Sequence, residues 1–277
     1  VGMKEILEFV KIEHTLFSLP FVFIGAIMAG DPTWIQLAWI LVAAVGARGL
    51  AMGLNRIIDR DIDAENPRTA ERHLAAGTMS LQTAWILCAV FLAMLLGGAW
   101  KLNPLSLYLS PIPVAAFVVY PYLKRRTWLC HLWLGLCLGL APAGAWVGIT
   151  GEISSLSWYP GLLCISLGVM VWIATFDIQY ARMDVENDRA NGIHSFPARF
   201  GEQHTLRTSV QLTLVWFALF AIANPTDGAT FLGAALLMSL LNVGVILSEK
   251  RFRSYQRTFF HVSIATGWVL LGGLLAA

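Results

Sequence analysis

Charge is what this chain lacks. Of its 277 residues only 13% are Asp, Glu, Lys or Arg and 57% are hydrophobic, whereas a soluble domain carries about 25% charged residues. That deficit excludes an ordinary soluble globule and points to a polytopic membrane protein. The formal net charge is only +2, so the basic surface of a nucleic-acid binder is missing and no nucleic-acid partner is expected. Cysteine is scarce as well. Cys88, Cys130, Cys137 and Cys164 lie in or beside apolar segments without a C-x-x-C pair, and read as small buried hydrophobes. No Gly-rich phosphate loop, dinucleotide fingerprint or convincing Ser-His-Asp order is found. His14, His131 and His194 are scattered without metal-ligand spacing and read as structural. The first apolar segment follows Lys4, Glu5, Glu8, Lys11 and Glu13, with no A-x-A-like cleavage site, so it reads as a retained helix.

What the chain has is apolar length. Runs able to cross a bilayer, about 20 residues each, fall at 10–29, 34–58, 81–100, 105–123, 128–150, 158–183, 204–223, 229–248 and 258–277. Pro111 and Pro113 interrupt the fourth, and Pro142 the fifth; such kinks are tolerated where neighbouring helices satisfy the freed backbone. Cations collect on alternate connections: Lys4 and Lys11, then Arg56, Arg60, Arg68 and Arg72, then Lys124, Arg125 and Arg126, then Arg182, Arg189, Arg199 and Arg207, then Lys250, Arg251, Arg253 and Arg257. The opposite connections hold Lys101 alone. The positive-inside rule then places the N-terminus in the cytoplasm and the C-terminus outside. Two connections, roughly 59–80 and 184–203, are long enough to be lids or binding loops. Both face the cytoplasm in this reading. Each half also has an acidic helix end followed by a basic loop ending in Gly77 or Gly201, a hint of duplication.

The few carboxylates are not scattered. Asn55, Asp59 and Asp63 recur at steps of four, and Asp177, Asp184 and Asp188 at steps of seven and four. Both spacings return to one side of a helix. Asp61, Arg60 and Glu186 point off these stripes. Same-sign charges so close call for a cation, and oxygen-only ligands suit Mg²⁺, whose coordination is usually completed by substrate phosphates. Asp177 ends an apolar run, where a carboxylate normally faces a polar cavity. Arg48 lies seven residues before Asn55 on the same face. It suits the carboxylate of a second substrate. Tyr120 and Lys124 share a face, and Lys124 and Arg72 are the cations placed to neutralise a departing pyrophosphate. Arg125 and Arg126 read as interfacial anchors.

With these residues named, the chain resembles the UbiA superfamily of intramembrane prenyltransferases. The resemblance is carried by Asn-x-x-x-Asp-x-x-x-Asp from Asn55, Arg-Thr-Ala-x-Arg from Arg68, Tyr-Pro-Tyr-x-Lys-Arg from Tyr120, and Asp-x-Gln-Tyr-Ala-x-x-Asp-x-x-x-Asp from Asp177. The stretches Lys124–Gly135 and Gly192–Gly201 look most like 4-hydroxybenzoate polyprenyltransferases and related quinone-biosynthesis members. The resemblance implies one all-α domain over 1–277, with nine transmembrane helices around a central cavity that opens sideways to lipid. It implies two Mg²⁺ ions, one at Asn55, Asp59 and Asp63 and one at Asp177, Asp184 and Asp188, holding an isoprenyl diphosphate that Arg72 and Lys124 contact. The acceptor would be an aromatic acid. In Glu71-Arg72-His73-Leu-Ala-Ala-Gly77, relatives often read Asn-Arg-Pro-Leu-x-x-Gly, so Glu71 is an added carboxylate that could alter loop closure or metal affinity. The competing readings are a superfamily enzyme with another acceptor (a naphthoate, a glyceryl-phosphate lipid, haem or a chlorophyll precursor) and a cation-coupled transporter. Transport sites are expected near mid-membrane, whereas these carboxylates sit at one end.

Overall fold

The computed structural model of the chain describes residues 2–248 and 255–277; the expected cations Lys250, Arg251 and Arg253 lie outside the described residues. The regular elements among those residues are all helical. A short α1 (Met3–Phe9) leads into α2 (Thr15–Ala29), α3 (Trp34–Ile58) and a short α4 (Arg60–Glu65). Then come α5 (Leu81–Leu102), α6 (Pro104–Leu109), α7 (Pro111–Leu123) and α8 (Cys130–Thr150). The second half holds α9 (Gly161–Ala181), short α10 (Val185–Ala190) and α11 (Phe196–Phe200), then α12 (Glu202–Ala223), α13 (Thr230–Leu247) and α14 (Tyr255–Leu275). Nine segments among the described residues are long and apolar enough to cross a membrane.

Three local features differ from the expected spans. The first begins at Ile12 rather than residue 10. Lys11 is left outside it, in a left-handed turn with φ 47°. The fourth is two helices, because Pro111 starts α7 at a position whose missing N–H costs nothing. The fifth is not interrupted: α8 runs through Pro142. Gly25 of α2 lies against the Pro142 backbone, where a Cβ would collide.

Between apolar helices in lipid, association rests on close packing and small residues. A Cβ on Gly46 of α3 would come within 2.6 Å of the Phe91 carbonyl of α5, and one on Gly139 of α8 within 2.7 Å of the Ser166 carbonyl of α9. Glycine is what permits these crossings. The largest core lies between α2, α9 and α12, where Phe17, Phe21, Trp172 and Phe220 are almost fully buried. Outward-facing Trp34, Ile35, Trp85 and Ile86 are exposed, as suits side chains that meet lipid.

This packing leaves two connected chambers. The apolar one, about 400 Å³, runs between α3, α5, α7 and α8 and reaches the surface at exposed Ile112 and Ile153. The polar one, about 230 Å³, lies at the end where the two long connections meet. Arg48, Met52, Asn55, Tyr120, Leu134 and Leu138 line both. Asn103 ties α6 to α8: its side-chain carbonyl oxygen caps α6 at Ser106 N–H (2.8 Å), and its amide donates to the Val147 and Gly148 carbonyls of α8 (2.9 and 3.0 Å).

Candidate active site

The first acidic stretch keeps helical register across a break. α3 ends at Ile58, yet Asp59 N–H bonds Asn55 O (2.9 Å) and Asp63 N–H bonds Asp59 O (2.8 Å). The expected stripe therefore survives into α4. Asp59 is fully buried, paired with the Lys124 ammonium and with Arg125 Nη2 at 3.1 Å. Arg125 also donates to Ile58 O at 2.9 Å. It is thus a site residue rather than the interfacial anchor the sequence suggested. Arg72 Nη1 lies 3.0 Å from both oxygens of Asp63.

The second stretch is not one continuous helix. α9 stops at Ala181, the chain tightens into a 3₁₀ turn over Arg182–Asp184, and α10 carries Asp188. Asp184 is clasped by Arg68 through two bonds, Nε to Oδ1 at 2.8 Å and Nη2 to Oδ2 at 2.7 Å, and accepts Asn66 Nδ2 at 3.2 Å. Burial opposes the Arg68 charge, but the hydrogen bond and charge of Asp184 outweigh it and raise the guanidinium's pKa. Arg68 and Asn66 belong to the first connection, so the two acidic stretches meet across the mouth. Asp188 is buried in the same cavity.

Asp177 has different company. Its Oδ2 accepts the Tyr120 hydroxyl at 3.2 Å and lies 2.7 Å from His131 Nδ1. Arg48 is half-buried with its buried Nε unpartnered, and Asn55 Oδ1 is likewise orphaned, among the described residues. Lys11 joins Arg56, Arg68 and Arg72 in lining the mouth. Burial first, then the charges of Arg56, Arg72 and Arg68, bring its ammonium down from 10.5 to about 7, against Glu13. Glu71 is exposed and does not line the chambers. Its neighbour His73 instead ties the connection to α1, with Nε2 3.3 Å from the Glu8 carboxylate.

Among the described residues, no three His, Cys, Asp or Glu side chains gather around one point tightly enough to hold a metal ion. The donors at the mouth do fit Mg²⁺ shared with phosphate. They are oxygens, Asn55 Oδ1 is without a partner, and Mg²⁺ usually takes one or two carboxylates plus substrate phosphates and water.

Residues 18–274 match the model of the UbiA prenyltransferase family. The chain belongs to that family. A 4-hydroxybenzoate solanesyltransferase of Synechocystis sp. is 33% identical over 252 residues, which is 89% of this chain and 84% of that protein. A 4-hydroxybenzoate octaprenyltransferase of Alkalilimnicola ehrlichii is 29% identical over 250 residues, 89% and 83% of the two chains. The apo structure of a UbiA homologue from Aeropyrum pernix K1 superposes with a TM-score of 0.83 at 33% identity, covering 96% of this chain and 98% of that one. A UbiA homologue from Archaeoglobus fulgidus bound to DMAPP and Mg²⁺ shares the fold, with a TM-score of 0.69 at 20% identity over 97% and 99% of the chains. The chain is thus a membrane prenyltransferase, with nine candidate membrane-spanning segments among its described residues.

In this prenyltransferase the polar mouth gathers Arg48, Asn55, Asp63, Arg72, Tyr120, Lys124, Asp177, Asp184 and Asp188, with Asp59 buried behind Lys124. Sequence reasoning missed Arg68, Arg125, Asn66, Lys11 and His131. Arg68 stood inside the quoted Arg-Thr-Ala-x-Arg motif and Arg125 inside Tyr-Pro-Tyr-x-Lys-Arg, which was the available signal. His131 stood inside the quoted Lys124–Gly135 stretch, but its partner lies 46 residues away and its role could not be read there.

Proposed function

We propose that this prenyltransferase joins the prenyl group of an isoprenyl diphosphate to a ring carbon of a phenolic carboxylic acid such as 4-hydroxybenzoate. The observation that carries the reading is Arg48. A half-buried guanidinium at the collar between the chambers, with a buried and unpartnered Nε, calls for an anion, and the planar fork suits a carboxylate. An acceptor so held has its ring beside the polar mouth and its neighbours in the apolar chamber. An acceptor without a carboxylate, such as a glyceryl-phosphate lipid, leaves Arg48 without a partner of this kind.

Each side chain then has a role. Asp59, Asp63, Asp184 and Asp188, with Asn55, would hold Mg²⁺, which neutralises diphosphate charge and improves it as a leaving group. Lys124 and Arg72 stabilise the charge that gathers on the departing oxygens as the allylic C–O bond breaks. The apolar walls shield the allylic cation from water and receive the tail, which continues into lipid past Ile112. The ring carbon then bonds to the cation and loses a proton. The cation bias of the connections supports a cytoplasmic mouth. Purified protein given geranyl diphosphate, Mg²⁺ and 4-hydroxybenzoate is expected to form a prenylated acid, detected by mass spectrometry. No product with any phenolic or naphthoic acid rejects the reading.

A further inference from the structure

His131 was read from the sequence as a lone structural histidine, and the prenyl transfer outlined above makes no use of it. It sits in the first turn of α8 and is 3% exposed. Its ring makes two hydrogen bonds to opposite sides. Nε2 lies 2.9 Å from the backbone N of Phe196, the first residue of α11, and Nδ1 lies 2.7 Å from Asp177 Oδ2 on α9. A backbone N–H can only donate, so Nε2 must offer its lone pair. The single proton of the neutral ring is therefore on Nδ1, where it is donated to Asp177. A charged ring would set N–H against N–H at Phe196. His131 is thus held as a neutral donor with a fixed tautomer, which rules it out as a proton shuttle and leaves it one task.

That task is to aim a carboxylate. Oδ2 of Asp177 receives both Nδ1–H of His131 and the hydroxyl of Tyr120. Its other oxygen, Oδ1, takes no hydrogen bond from the described residues, and Asp177 lines the mouth that Arg48 also lines. The contrast with Asp59, Asp63 and Asp184 is chemical: those three are paired with Lys or Arg, whereas Asp177 meets only neutral donors on Oδ2. Its unbonded oxygen belongs to a side chain that lines the cavity.

We propose that His131 is a positioning residue that fixes Asp177 so that Oδ1 accepts the hydrogen bond of the acceptor's ring hydroxyl. The acceptor is then held at both ends, its acid on Arg48 and its hydroxyl on Asp177. Electron density drawn toward the ring by that hydrogen bond favours attack from the adjacent carbon. The proposal rests on the hydroxy-acid reading above and extends it to orientation and to selection for a free hydroxyl.

The test compares two full-length variants that conserve polarity and bulk. His131→Asn keeps an N–H near the place of Nδ1. His131→Gln keeps an acceptor near the place of Nε2, for Phe196, but loses the bond to Asp177. Each is assayed with the hydroxy acid that the wild type turns over, 4-hydroxybenzoate or a dihydroxynaphthoate, and with its O-methyl analogue at the ring hydroxyl. Geranyl diphosphate binding is measured separately. The wild type is expected to favour the free hydroxyl by about 10- to 100-fold, the worth of a hydrogen bond to a charged group. His131→Asn should keep most of that preference. His131→Gln should lose it through kcat, with geranyl diphosphate affinity unchanged. Equal preference in all three proteins overturns the proposal, as does equal loss in both variants or a parallel loss of geranyl diphosphate binding. A wild type that makes no product with either acceptor instead overturns the hydroxy-acid reading itself.

Discussion

The two acidic stretches look alike in sequence and are held differently in space. The first is neutralised from its own half: Asp63 by Arg72 nine residues on, and buried Asp59 by Lys124 and Arg125 from the turn that follows α7. The second borrows. Asp184 depends on Arg68 and Asn66, which belong to the first connection, and Asp177 has Tyr120 and His131 in place of a cation. The lesson is that repeated spacing conveys shared chemistry but not shared support. The first stretch is a buried ionic core, whereas the second is a rim that exists only when the first connection reaches across.

The sharpest way to break that comparison is to remove one carboxylate from each side. Asp59→Asn and Asp184→Asn should each lower prenyl transfer by about 10³-fold or more, the scale seen when charge stabilisation is removed. Product formation under saturating substrate checks this. Asp59→Ala and Asp184→Ala should then separate in stability. Stripping Asp59 leaves Lys124 and Arg125 beside a buried void, a loss of about 3–5 kcal/mol. Asp184 faces Arg68, whose side chain is 37% exposed, so its loss should cost about 1 kcal/mol or less. Unfolding of the detergent-solubilised variants measures the difference.

Arg68→Ala tests the borrowing. It should lower Mg²⁺ affinity or turnover by about 10- to 100-fold, as removal of a partner of a metal-binding side chain does. Arg68→Lys should not restore it, because a single ammonium cannot reproduce the two-point clasp. Equal behaviour of Arg68→Ala and wild type would show the two stretches to be independent. The apolar chamber offers a milder probe. Ala47 lines it from α3, and Ala47→Phe should slow transfer of long tails more than of geranyl. The ratio of the two rates is the readout.

The smallest effect concerns Lys11. Its pKa is near 7 in the folded chain against 10.5 ordinarily, so the unfolded chain binds the extra proton between those values. The penalty of holding Lys11 charged is complete below pH 7 and is relieved as pH rises toward 10.5. Ligand-free wild type should therefore gain on Lys11→Met by a few degrees of thermal stability between pH 6 and pH 9. Pyrophosphate, by favouring the charged amine, should flatten that trend.

Much of this was legible beforehand. Bilayer thickness demands about 20 apolar residues per crossing, which is why the nine segments were placed within a few residues. The steps from Asn55 to Asp63 survive a helix break because the backbone bonds continue through Asp59. Pro111 was read as a kink and is a helix start; only the cap geometry distinguishes the two. Pro142 was read as an interruption and is not one, since Gly25 packs α2 against it. Arg68, Arg125 and His131 were illegible as site residues for a common reason. Their partners are 116, 66 and 46 residues away, and periodicity reports which face of a helix a residue occupies, not which helix faces it.

The collar of Arg48, Met52, Asn55, Tyr120, Leu134 and Leu138 joins a wet room to an oily one. On the proposed reaction, one product keeps the hydrocarbon tail and the other keeps both phosphates. Each therefore has a single compatible exit, sideways into the leaflet or straight out to water. The protein sorts its products by solubility at the moment it makes them, and no separate export step is required.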